Sequence, residues 1–169
     1  MTSVDETLMD WLRDAHAAEQ QAETMLKGMT SRLEHYPDLR ARIEQHIGET
    51  QNQADRIRGC IEKRGGSTST VKDAGGKLLA MGQALSGLFV SDEVMKGAIA
   101  GYAFENMEIA SYEILIAAAE EAGDHDTKQV CEEILEEERA MADWLEDHLP
   151  DLTSQYLLRE QSPEVAAKR

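Results

Sequence analysis

Glu105 and Glu108 stand three residues apart within a largely apolar run over 99–119. On a helix, that spacing places both carboxylates on one face. Ionised carboxylates among apolar side chains resist burial unless a guanidinium, a proton or a metal ion meets them. The chemistry therefore depends on what the rest of the chain brings to Ala103-Phe104-Glu105-Asn106-Met107-Glu108-Ile109-Ala110-Ser111-Tyr112.

Four segments have the apolar steps of three and four residues that mark helices. The first is expected over 7–34, with Leu8, Leu12, Ala15, Ala22, Leu26, Met29 and Leu33 inward and Glu19 between Ala15 and Ala22. After the break His35-Tyr36-Pro37-Asp38, the second is expected over 38–63. Its inner face has a polar middle: His46, then Glu49 or Thr50, then Gln53. Gly65 and Gly66 open a connection that holds one short helix around 77–88. The third helix starts at Ser91, a good N-cap residue, and runs to about 122. The fourth starts at Asp124, places Glu138 on its inner stripe and ends at Pro150. This predicts an all-α, ferritin-like four-helix bundle with one long crossover between helices two and three. The four-helix domain would occupy 1–150. The tail over 151–169 would pack on a neighbouring surface or an oligomer partner.

Glu19 and Glu49 lie 30 residues apart across the first hairpin, as Glu108 and Glu138 do across the second. Equal separations put both pairs near mid-bundle, with Glu105 as an extra carboxylate. No Arg or Lys is expected on these stripes at that level. Two divalent cations would balance the charge, since one carboxylate can bridge both, and helix bundles build di-iron and di-manganese centres in this way. His46, three residues before Glu49, is the best nitrogen candidate, as a ligand or as the partner of one. His16, three before Glu19, is the second, although an ordinary core histidine is the preferred reading there. The expected metal set is Glu19, His46, Glu49, Glu105, Glu108 and Glu138, with no separate catalytic side chain. Mixed carboxylate and imidazole donors suit Fe, or Mn, better than structural Zn.

Composition narrows the partners. The 169 residues carry 33 acidic against 17 basic side chains and a net charge of −16, which repels nucleic-acid phosphates. No apolar run has the length of a membrane span, and the first residues lack the basic and apolar parts of a signal peptide. Cys60 and Cys131 have no metal-type spacing and read as reduced core residues. A cytoplasmic protein is expected. Glu132, Glu133, Glu136 and Glu137 read as a solvated face.

To about Pro150 the chain resembles the YciE/YciF-type bacterial stress proteins of the ferritin-like superfamily. The matching stretches are Asp14-Ala15-His16-Ala17-Ala18-Glu19-Gln20-Gln21, His46-Ile47-Gly48-Glu49-Thr50 with Gln53, Phe104 to Tyr112, and Leu135-Glu136-Glu137-Glu138. The resemblance implies a di-iron centre, a homodimer and a part in stress or oxidant defence. The pair Glu105 and Glu108 is similar to the helix-three pair of rubrerythrins, which reduce peroxide. Ferritins and rubrerythrins follow the helix-two Glu with a His three residues on; here that residue is Asn52, and the position after Glu138 is Met141. YciF-like chains often carry Asp four after the Glu matching Glu138, where this chain has Ala142.

Two functions follow as expectations. One is a di-metal carboxylate protein that oxidises Fe(II) with O₂ or consumes peroxide, which would make it a di-iron oxidoreductase. The other is a non-catalytic binding or scaffold module whose metal site is inert or lost. Nothing in the sequence specifies an iron-storage cage.

Overall fold

The computed structural model describes residues 3–68 and 93–161. Among them are four α-helices and no strand: α1 (Val4–Thr30), α2 (Pro37–Lys63), α3 (Glu93–Glu121) and α4 (His125–Glu160). The short helix expected around 77–88 and the cap expected at Ser91 lie outside the described residues.

Local chemistry sets the helix ends. Ser3 and Glu6 form a reciprocal capping box that starts α1 three residues before the expected Thr7. Pro37 opens α2, where its missing N–H costs nothing. Gly123 adopts a φ of 69° between the last two helices, and Asp124 then caps α4 by accepting from the Thr127 amide.

Cross-helix contacts fix the topology. Gln51 reaches Glu23 and Arg64 reaches Asp5, so α1 and α2 are antiparallel. Gln53 with Glu137 and Lys63 with Asp126 set α2 against α4, while Tyr102 with Glu146 and Lys128 with Glu120 set α3 against α4. Thus α2 and α3 run in the same direction, the relation that a long crossover gives. This is the ferritin-like bundle expected from the sequence.

Two apolar clusters fill the bundle. One gathers Leu8, Leu12, Ile57, Ile61, Leu115 and Ile134; the other gathers Leu26, Leu33, Leu39, Ile43, Leu145 and Leu152. Cys60 and Cys131 are free and buried in the first.

Pro150 does not end the last helix, contrary to expectation; α4 continues to Glu160. The proline is exposed, as is Glu146, whose carbonyl loses its helical donor, so water can meet that carbonyl. Burial of Leu152 in the second cluster holds the helix beyond it.

Candidate metal centre

Each helix presents a stripe of buried residues in alternating steps, and the polar side chains fall within those stripes. On α1 the stripe runs Leu8, Leu12, Ala15, Glu19, Ala22, Leu26. On α3 it runs Glu105, Glu108, Tyr112, Leu115, Ala119, and on α4 Cys131, Ile134, Glu138, Met141, Leu145. On α2 it runs Leu39, Ile43, His46, Thr50, Gln53, Ile57. Glu19, His46, Glu105, Glu108 and Glu138 are all buried to 2% exposure or less.

The Nε2 atom of His46 lies 3.2 Å from Oε2 of Glu105 and 3.6 Å from Oε2 of Glu138. These three residues each offer one ligand atom, all within 4.8 Å of one another, and so form a group that could hold a metal ion. Glu19 and Glu108 share the same electrostatic field. Burial, with the charges of Glu19, Glu138 and Glu105, raises the Glu108 carboxyl well above its usual range. Burial also raises Glu138, where the charges of Glu105 and Glu19 add to it. Glu19 is pushed up to about 8 by burial, against a hydrogen bond from Tyr112. For His46, burial alone would lower the value, but the carboxylates of Glu105 and Glu49 hold its proton and raise it to about 9.

Glu49 is placed differently. The stripe steps from His46 to Thr50, so Glu49 turns toward the rim, with a quarter of its side chain exposed. There it meets Nδ1 of His46 at 2.8 Å, Arg42 at 3.0 Å and Gln45 at 2.8 Å. The hydrogen bond from His46 leads in lowering Glu49 to about 2, and those from Arg42 and Gln45 add to it against partial burial. Arg42 is the cation that sequence spacing missed: it lies seven residues before Glu49, and its length rather than its position on the stripe brings it there. His16 is buried as well, and burial with the charge of Arg58 lowers its pKa, as suits a neutral core histidine.

Two further polar residues were only half legible. Tyr112 donates to Glu19 on α1, a partner on another helix. Glu137, expected on the solvated face, is only partly exposed and accepts from Gln53 at 2.9 Å and from Arg56. Glu132, Glu133 and Glu136 are exposed as expected.

The donor set fits a hard or borderline cation. Glu19 Oε2, His46 Nε2, Glu105 Oε2, Glu108 Oε1 and both Glu138 oxygens are buried without a hydrogen-bond partner, as are Thr50 Oγ1 and Gln53 Oε1 on the α2 stripe. Native proteins seldom leave so many buried polar atoms unmatched, and a cation among the carboxylates would supply the missing partner.

Residues 3–158 match the family described as a domain of unknown function, DUF892. The chain belongs to the DUF892 family. Its fold is shared with a Xanthomonas campestris protein of known crystal structure, at 42% identity and a TM-score of 0.81 over 95% of this chain and 100% of that one. The E. coli stress protein YciF matches at 22% identity and a TM-score of 0.78 over 91% and 99% of the two chains. A Desulfovibrio desulfuricans bacterioferritin, described with a diiron site, matches at 21% identity and a TM-score of 0.72 over 94% and 91%. At those identities, YciF and the bacterioferritin show a common fold with this DUF892 chain. The YciF-type, ferritin-like resemblance read from the sequence is thereby borne out.

Proposed function

We propose that this chain is a ferritin-like carboxylate protein that holds two divalent metal ions, iron first and manganese second. It would oxidise Fe(II) with O₂, or consume peroxide, in the stress or oxidant defence of the cytoplasm. One observation carries the reading: carboxylate oxygens of α1, α3 and α4 are buried without a hydrogen-bond partner, and two of them, from Glu105 and Glu138, lie beside Nε2 of His46. Glu19, Glu105, Glu108, Glu138 and His46 would hold the ions. When bound, the metal would supply the redox change that no side chain here can supply. The protein's part is to fix the donors, to exclude bulk water and to keep Tyr112 on Glu19. Burial, with the charges of Glu19 and Glu108, raises the Tyr112 pKa well above its usual value, so the phenol stays protonated.

Three further observations fit this setting. Among the described residues no helix is long and apolar enough to cross a membrane. The two cysteines are free. Ile99 and Ile114 expose more than half their surface on α3, a face that a homodimer would cover; light scattering on the purified chain tests this by giving twice the monomer mass.

A second reading, an inert scaffold, has one observation in its favour: His46 is the single nitrogen donor in the group. One experiment separates the two. Protein purified without chelator is analysed for metal, reconstituted anaerobically with Fe(II), and exposed to O₂ or peroxide while its absorbance is followed. Turnover supports the redox reading, and stoichiometric inert binding supports the scaffold. Less than a trace of metal after reconstitution overturns the metal assignment itself.

A further inference from the structure

We propose that Glu49 is a positioning residue: it fixes the His46 ring with Nδ1 protonated and Nε2 turned to Glu105 and Glu138, and acts on a bound cation only through that ring. The inference rests on the metal reading for its consequence, but its geometry stands without it.

Both oxygens of Glu49 are already engaged. Oε2 accepts from Arg42 Nη1 at 3.0 Å and faces His46 Nδ1 at 2.8 Å, and Oε1 accepts from Gln45 Nε2 at 2.8 Å. Guanidinium and amide N–H groups only donate, and a carboxylate that receives them is an acceptor. The ring nitrogen at 2.8 Å must therefore carry its hydrogen. A cation that takes the place of the second ring proton leaves a neutral imidazole, whose lone pair then belongs to Nε2. That atom is buried, without a hydrogen-bond partner, and beside two fully buried carboxylates.

Position on the helix supports the same division of labour. Glu105 and Glu138 are 1% and 0% exposed, whereas the Glu49 side chain is 25% exposed and lies on the outer side of the ring. To ligate directly, Glu49 would have to give up Arg42, whose side chain is itself only 11% exposed, or Gln45. A carboxylate behind a ligating histidine orients the ring and makes it a stronger donor, and its loss typically weakens metal binding by about 10–100-fold.

The test uses the full chain labelled with ¹⁵N at histidine, as wild type, Glu49→Ala and Glu49→Gln. In metal-free wild type we expect a downfield, slowly exchanging ring proton on Nδ1 of His46. Glu49→Ala should lose it, and Glu49→Gln, whose amide oxygen still accepts, should keep it. Calorimetric titration with Zn(II), a diamagnetic probe, should give Glu49→Ala the wild-type stoichiometry at about 10–100-fold weaker affinity, with Glu49→Gln recovering most of the loss. An absent Nδ1 proton in wild type overturns the proposal. So does unchanged affinity in Glu49→Ala, or the loss of one cation per chain, which would make Glu49 a direct ligand. If wild type binds no Zn(II), the metal reading falls, and the ring proton still decides the role of Glu49. The rim position makes Glu49→Gln the variant that keeps the fold, which circular dichroism checks.

Discussion

The hydroxyl of Tyr112 on α3 donates to Oε1 of Glu19 on α1, and both side chains are buried. The bond engages one carboxylate oxygen and leaves Oε2 without a partner. Replacing Tyr112 with Phe would leave neither oxygen with a donor. Tyr112→Phe should cost the metal-free protein about 1–3 kcal/mol in urea unfolding at neutral pH. A change under ~0.5 kcal/mol would show that the contact does not hold Glu19.

The pKa shifts set a pH dependence with a definite sign. Glu19 titrates near 4.5 when unfolded and near 8 when folded, so the folded state holds more protons between those values. Stability of the metal-free protein therefore falls as pH rises from about 4.5 to 8, and raised Glu108 and Glu138 act in the same direction. His46 contributes stability below 6.5 that is lost as pH rises through about 9. Glu49 works at the acid end: its contribution is present above 4.5 and lost as pH falls toward about 2. Thermal unfolding in chelator should give a Tm that falls from pH 5 to pH 9, by about 2–4 °C for each kcal/mol lost. Added Mn(II) should raise the Tm more at pH 8 than at pH 6, because the cation replaces protons. Equal shifts at the two pH values would contradict this account.

Glu108→Gln keeps the shape of the side chain and removes its charge. In chelator at pH 8 this variant should be more stable than wild type by about 0.5–2 kcal/mol, a range typical of single stabilising changes. The gain should vanish well below pH 4.5, where the wild-type carboxyl is protonated in both states. The stabilisation conferred by Mn(II) should shrink together with the charge. Urea titrations with and without the cation at both pH values measure all three effects.

Leu152 tests the part of α4 beyond Pro150. It is 4% exposed in the cluster with Leu26 and Leu33, so Leu152→Ala should cost about 2 kcal/mol, the low end for a buried leucine because the helix end can relax. Leu157, 52% exposed, is the control, and its replacement by Ala should stay within about 0.5 kcal/mol. Equal Tm values for the two variants would mean that the last turns contribute nothing to the bundle.

The helices and most of the buried polar cluster were legible because each lies in a single-helix pattern. Glu19, Glu105, Glu108 and Glu138 occupy places in their stripes where apolar residues belong, and all four are buried. Glu49 shows where such reading stops. Steps of three and four from His46 lead to Glu49 or Thr50, and only the alternation along Leu39, Ile43, His46, Thr50, Gln53 and Ile57 selects Thr50. The reach of Arg42 and the partner of Tyr112 depend on side-chain length and on register between helices, which spacing within one helix does not carry. Pro150 misled for a related reason: its missing donor falls on a face that water can serve.

The centre also has a mechanical consequence. It lies between the apolar cluster around Leu12, Ile57 and Ile134 and the one around Leu26, Ile43 and Leu145, so the bundle has two apolar ends and a buried polar waist. Where the carboxyls at the waist ionise, their mutual repulsion opposes the apolar contacts at the two ends. A bound cation would turn that polar level into a clasp and make the two ends melt as one unit. Amide exchange along α2, from Ile43 through Thr50 to Ile57, would then read as a single protected run when the ion is present and as two islands when it is removed.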